Sequence, residues 1–341
     1  MTTLVTGATG FLGSHIARQL VARGDSIRVL ARPSSDLRAL GGLAVERATG
    51  DLRDPASLER ALEGVSCVYH VAADYRLWAR DPREIYDSNV AGTRNLLEAA
   101  RVAGVKRFVY TSTVATISIP THGALPNEQT EATLRDMIGD YKRSKFLAEQ
   151  EALRAVDRGI PVVIASPTTP VGPGDWKPTP TGKIIVDFLN GRMPGYVDTG
   201  LNFVPVEDAA AGHLLVAERG RIGERYLLGG ENLSLREVLE LLARASGLRV
   251  PRLRLPHAVA YAAACASTTF ARMTGREPSI PIDAVRISRH RMFVDCSRAP
   301  RELGFAAGPV AGALARAVEW YEDNGYVVPR RMERLARAHA A

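Results

Sequence analysis

Three cysteines in 341 residues, at positions 67, 265 and 296, are too few and too scattered for a disulfide framework or the paired spacings of a metal site. Cys67 falls in an apolar, strand-like run and reads as core. No stretch approaches the ~18 consecutive apolar residues that span a bilayer, and the most apolar one, Ala258 to Ala266, is too short. Repeats, low-complexity tracts and long linkers are missing. So is a secretory leader, because the chain enters a strand-like run at its second residue, and the expected location is cytoplasmic. A large excess of one charge is lacking too: 44 basic against 37 acidic residues leave +7. That suits a small anionic ligand and is too little to imply nucleic acid. With 46% hydrophobic and 24% charged residues, the remainder is an ordinary globular composition.

What is present begins at the N-terminus. Thr3 to Thr6 reads as a short buried strand, and Gly7-Ala8-Thr9-Gly10-Phe11-Leu12-Gly13 follows at once. Ile16, Leu20 and Val21 then recur at helical spacing as far as Gly24. In a strand–turn–helix of this kind Gly7 permits the tight turn, Gly10 lets the backbone approach a pyrophosphate, and Gly13 lets helix and strand pack closely. The first-turn N–H groups and the helix dipole favour phosphate charge. Thr9, Phe11 and Leu12 count with the three glycines as dinucleotide-binding positions.

The second strand, Ser26 to Ala31, ends at Arg32-Pro33-Ser34-Ser35. An acidic residue here would hold a ribose 2′-hydroxyl, whereas an arginine accommodates a 2′-phosphate. Arg32 therefore points to NADP(H) rather than NAD(H), with Ser34, Ser35 and Arg38 as further donors. The competing reading makes Arg32 a surface charge and gives the ribose to Asp36.

Tyr141 and Lys145 stand four apart in a helical stretch, on one face, about 6 Å apart along the axis. Free tyrosine titrates near ~10, too high for acid–base work at neutral pH. A neighbouring ammonium favours the phenolate, and a shift of about three units takes roughly 4 kcal/mol. The spacing expects Lys145 to make Tyr141 acidic.

These features, with further motifs in order, make the chain resemble the extended short-chain dehydrogenase/reductases along nearly its whole length. Gly50-Asp51-Leu52 matches the turn whose Asp lies near the adenine. Val68 to Ala73, with Ala72 and Ala73 at its end, matches the fourth-strand segment beneath the cofactor. Asn89-Val90-Ala91-Gly92-Thr93 matches the family's N-V-x-G-T. Phe108 to Thr113, including Thr111, matches the fifth strand and the third catalytic hydroxyl. Pro167, Thr168 and Thr169 open a stretch that lies beside the nicotinamide in the family. The resemblance implies that Thr113, Tyr141 and Lys145 are catalytic, that Lys145 also binds the nicotinamide ribose, and that Asn89 serves either a proton relay or the structure. The family's third hydroxyl is usually Ser; here Thr113 aligns with it and Ser112 precedes it, so both are candidates. The resemblance further implies a homodimer built on the helices at 82–103 and 139–158.

Organisation follows from alternation. Strand-like runs at 2–6, 26–31, 43–48, 65–71, 107–112 and 161–166 alternate with helical patterns, which argues for a Rossmann-like, doubly wound parallel α/β sheet. The expected division is a dinucleotide-binding domain at 1–166 and a smaller C-terminal α/β substrate domain at 167–341, with segments near 203–229 returning to the sheet. Helices are expected at 181–191, 207–219, 235–246, 257–274 and 309–324.

Within the family the closest likeness is to the hopanoid-associated sugar epimerases, carried by His70 to Trp78, Lys177 to Gly182 and Tyr196 to Asn202. A more remote one is to dihydroflavonol-reductase-like carbonyl reductases. Nucleotide-sugar epimerases carry a phosphate-binding Arg where Leu201 stands. With Arg32, this favours net reduction of a carbonyl on a sugar-like, hydrophobic, lipid-linked molecule; the alternative is an epimerase or dehydratase that retains its NAD(P). The apolar stretch from Pro256 to Met273 reads either as a core helix or as a wall for a lipid-like substrate. The basic segment from Arg330 to His339 reads either as a solvated tail or as a peripheral contact with anionic lipid.

Overall fold

A computed structural model describes residues 2–118 and 124–328. The chain divides into two compact units. The first comprises Met1–Pro167, Glu207–Leu228 and Asp295–Ala306; the second comprises Thr168–Val206, Gly229–Val294 and Ala307–Ala341.

The first unit holds a parallel sheet of seven strands. Six are β1 (Thr2–Thr6), β2 (Ser26–Ala31), β3 (Glu46–Thr49), β4 (Val65–His70), β5 (Arg107–Thr111) and β6 (Val162–Pro167). The seventh, Arg225–Leu228, comes from much later in the chain and pairs with β6. The order is β3-β2-β1-β4-β5-β6 followed by that strand, so the sequence reverses direction across β1 and β4. Such a switch point is where open α/β sheets bind ligands, at the carboxyl ends of the strands. Central strands are mostly apolar, as burial on both faces demands: every residue of β6 is buried, and Leu4 and Val5 of β1 are fully so.

Two elements differ from the sequence reading. The third strand starts at Glu46 rather than residue 43, because Leu40, Leu43 and Val45 are tied into successive turns around Gly41-Gly42. The expected continuous helix at 82–103 is interrupted. Arg83–Tyr86 and Gly92–Val102 are α-helical, and Asp87–Ala91 between them forms a wider π-type turn. That turn contains Asn89, whose side chain is drawn inward by partners described below.

The second unit carries a smaller sheet of Thr169–Val171, Gly200–Pro205, Glu231–Ser234 and Arg291–Met292 among the described residues. Helices Pro180–Leu189, Leu235–Ser246 and Val310–Asp323 supply its core, where Phe188, Phe203, Leu242, Leu314 and Tyr321 are buried together. The Pro- and Gly-rich loop before the first of these helices is fixed by buried Asp175, which accepts hydrogen bonds from Thr179 and from the Tyr321 hydroxyl. The basic segment from Arg330 to His339 lies outside the described residues.

Candidate active site

The first unit gathers the proposed cofactor and catalytic positions from Gly7 to Pro167. Gly7 takes φ +72°, and a Cβ there would stand 2.5 Å from the Ala72 nitrogen. A Cβ on Gly13 would overlap the Gly7 carbonyl oxygen. The turn is therefore closed against both β4 and its own helix, and only glycine fits either place. Gly10 N–H donates to Gly7 O at 2.9 Å, and the helix Phe11–Ala22 starts with neither a side-chain cap nor an acidic residue in its first turn. The N–H groups of Phe11, Leu12 and Gly13 are left at the positive end of the helix dipole, which is the arrangement a diphosphate requires. Thr9 lies on the same turn.

Arg32 is exposed at the end of β2, with its N–H on Ser35 Oγ at 3.1 Å. Asp51 lies after β3. Its carboxylate is held by Arg53 at 2.8 and 2.9 Å, and this hydrogen bonding, with Arg32 adding its charge, brings the carboxyl down to about 2. Asp36 is spoken for: Arg38 donates to it from both backbone and guanidinium. Leu52 is buried, and its carbonyl accepts from Asn95 at 3.0 Å.

Ala72 and Ala73 follow β4. Beneath them runs a buried hydrogen-bond chain. Ala72 N–H donates to Thr6 Oγ1 (3.2 Å), Thr6 meets His70 Nδ1 (2.8 Å), His70 Nε2 meets Thr93 Oγ1 (2.9 Å), and Thr93 donates to Asn89 O (2.6 Å). Because the one hydroxyl proton of Thr93 goes to Asn89, His70 Nε2 carries the ring proton and Nδ1 accepts from Thr6. Burial holds this imidazole neutral, down to about 3. Asn89 itself is fully engaged. Its amide donates to Asp74 O and to Ser144 Oγ, each at 2.9 Å, and its oxygen accepts from Asp74 N–H at 2.7 Å. Asn89 thus ties the π-type turn to the helix Gly139–Asp157 that carries Tyr141 and Lys145.

That helix places Tyr141, Lys145, Ala148, Glu149 and Ala152 on its inner side. Thr113 is near enough to the Tyr141 phenol to pull its pKa down against burial, and its hydroxyl accepts from Ala115 N–H at 3.2 Å. Ser112 is turned elsewhere and donates to Glu149. Lys145 Nζ donates to Thr111 O at 2.8 Å and sits 4.5 Å from the centre of the Tyr110 ring. The expected acidification of Tyr141 by Lys145 does not hold in this arrangement. Burial raises the Tyr141 phenol, Thr113 is what pulls it back down, and burial lowers Lys145 to about 7, so much of its charge is lost near neutrality. Thr111 Oγ1 is buried without a hydrogen-bond partner among the described residues, a polar group positioned for a ligand. The closed glycine turn, the bare helix start and this orphaned hydroxyl together fit a nicotinamide dinucleotide. Pro167 ends β6; Thr168 and Thr169 belong to the second unit.

Sequence reading passed over Glu149 and Arg225. Glu149 is almost wholly buried and accepts from Ser112, from Thr116 Oγ1 at 3.1 Å, and from Arg225 of the late seventh strand. The same Thr116 hydroxyl lies 2.9 Å from Thr113 O, so its one proton is shared between Glu149 and that carbonyl. The carboxylate therefore anchors both sides of the segment that presents Thr113. Its signal was there as the third step of a series at 141, 145 and 149, one helical turn apart, with a buried acid at the end.

The family model described as the NAD dependent epimerase/dehydratase family matches residues 3–229. A Synechocystis protein named for dihydroflavonol 4-reductase is 44% identical, over 95% of each chain. Sterol demethylase protein B of Methylococcus capsulatus is 40% identical, over 96% of this chain and 100% of its own. Among solved structures, a nucleoside-diphosphate-sugar epimerase from Pseudomonas aeruginosa superposes with a TM-score of 0.80 at 30% identity, over 96% of this chain and 99% of that one.

Proposed function

Since the chain belongs to the NAD-dependent epimerase/dehydratase family of extended short-chain dehydrogenase/reductases, which use NAD(P), we propose that it is an NADP(H)-dependent reductase of a carbonyl on a sugar-like, hydrophobic, hopanoid-type lipid-linked substrate. The observation that carries this reading is Lys145, one helical turn from Tyr141, anchored on the Thr111 carbonyl beside the Thr111 hydroxyl, which is buried and unpartnered among the described residues.

A bound nicotinamide dinucleotide supplies or accepts the hydride. Tyr141 gives its phenolic proton to the carbonyl oxygen as that oxygen gains charge, and Thr113 hydrogen-bonds the same oxygen and orients it. General acid catalysis of this kind contributes about 10²–10⁴ in rate. Lys145 is held at the carboxyl end of β5, where a nicotinamide ribose would draw it. Ser112, Thr116 and Glu149 fix the backbone that aims Thr113, and Asn89 fixes the helix that aims Tyr141.

Preference for NADP(H) rests on Arg32 standing open at the end of β2 while Asp36 is occupied by Arg38. A consumed rather than retained cofactor is consistent with Leu201 replacing the arginine that would grip a sugar-nucleotide diphosphate. The relative named for sterol demethylation supports a polycyclic lipid as substrate class. Likeness to a nucleoside-diphosphate-sugar epimerase favours the second reading, epimerisation on a retained NAD(P).

The test is the near-ultraviolet absorbance of NADPH with the purified protein and a sterol ketone, set beside a UDP-hexose. Loss of the band in proportion to alcohol formed supports the reductase. Conversion of the UDP-hexose without net NADPH loss overturns it in favour of the epimerase. Arg32→Glu should reverse the cofactor preference; a wild-type preference for NADH removes the role given to Arg32.

A further inference from the structure

The helix His257–Thr274 in the second unit is sided in an unusual way. Pro256 precedes it, and Gly275, in the left-handed region, ends it. Its buried residues are Ala264, Thr268 and Ala271. At about 100° per residue, the face directly opposite carries Val259, Ala262, Ala266, Thr269, Phe270 and Met273. All six are exposed and all but Thr269 are apolar, with Val259 at 54%, Phe270 at 62% and Met273 at 82%. The stripe is about 20 Å long at 1.5 Å per residue. A core helix would hide such a face, so the core reading of this segment accounts only for its inner side.

Charge is concentrated around the same element. Between Arg249 and Arg291 eight arginines face only Glu277 and Asp283, which places +6 of the chain's +7 in this stretch. Arg254 and Arg291 are bound by Asp198, and Arg286 by Asp283. Arg249, Arg252, Arg272 and Arg276 are exposed, and their side chains form no ion pair among the described residues. No helix among the described residues is long and apolar enough to cross a membrane.

We propose that this face of the helix docks on an anionic lipid bilayer, with Phe270 and Met273 entering the headgroup layer and the unpaired arginines meeting lipid phosphates. An apolar stripe flanked by cations is the pattern of a helix that lies in the interface plane. Each basic residue near an anionic leaflet adds attraction that salt screens. A second copy of the chain is a poorer occupant, because it would bring four more unpaired arginines against these.

The test is flotation of the full chain with vesicles of mixed phosphatidylglycerol and phosphatidylcholine, beside vesicles of phosphatidylcholine alone. The protein should bind the mixed vesicles, bind the neutral ones far less, and be released by high salt. Phe270→Ser with Met273→Ser should weaken binding about tenfold or more, as loss of roughly 1.4 kcal/mol of insertion would. Arg272→Gln with Arg276→Gln should weaken binding to the anionic vesicles only. Both pairs are at the surface, so unchanged melting temperatures certify folding. Absence of binding, or equal binding by wild type and both variants, overturns the proposal. So does self-association without vesicles that the serine pair abolishes, which would give the face to a second copy.

Discussion

The Lys145 ammonium nitrogen lies 2.8 Å from the Thr111 carbonyl oxygen and donates to it. One carbonyl and one aromatic face do not replace the water this cation gave up, which is why burial lowers it to about 7. In the unfolded chain the same amine titrates near ~10.4. Between those values the unfolded chain holds more protons, so stability rises with pH through that window; below it both states are charged and the whole penalty stands. Lys145→Met should therefore melt above the wild type near about pH 6 in the cofactor-free protein, and the gap should close toward about pH 10. A gap independent of pH would mean that the amine is not desolvated.

Replacing Tyr141 by Phe should abolish turnover and leave dinucleotide affinity intact, read by titration of the cofactor and by initial rates. Thr113→Val keeps the shape, removes the hydroxyl, and should lower kcat by about 10² or more. Ser112→Ala should act chiefly on stability, because its hydroxyl is committed to Glu149. If the alanine at 112 lowers kcat more than the valine at 113, the two hydroxyls have been assigned the wrong way round.

Glu149 is buried and pairs with the partly buried Arg225. Glu149→Ala leaves the guanidinium with only the charge of Glu128 acting on it and should cost about 3 kcal/mol in denaturant unfolding. Leucine at both positions removes both charges and should restore most of that. Equal losses in the single and double variants would show that the pair matters for packing and not for charge.

Gly13→Ala and Gly24→Ala test the cradle. Gly24 has φ +89° but open space around it, so alanine there should cost only about 1–2 kcal/mol of backbone strain. At Gly13 the methyl would overlap the Gly7 carbonyl, so the turn must move and dinucleotide affinity should fall with it. The contrast is read by cofactor titration: affinity unchanged in the Gly13 variant removes the turn from the site.

The sequence disclosed the parallel sheet because its strands are apolar in runs and its turns carry glycine where backbones touch. It disclosed the glycine turn, Tyr141 and Lys145 because their spacing is local. What it hid was non-local. The direction in which Lys145 points depends on Thr111, thirty-four positions away. The break at Asp87–Ala91 depends on Asn89 finding Asp74 and Ser144. Glu149 gains its meaning only from Arg225, which no periodicity links to it.

The last strand of the nucleotide-binding sheet is Arg225–Leu228, added after the chain has left that unit and come back. During synthesis, everything from the glycine turn to Lys145 emerges well before the guanidinium that neutralises Glu149. A nascent chain at that stage has an open sheet edge at β6 and an uncompensated carboxylate against the segment that bears Thr113. The hydroxyl proposed to orient the substrate is thus set in place late, and a ribosome-bound fragment ending short of that strand should contain the recognisable motifs and still be unable to aim them.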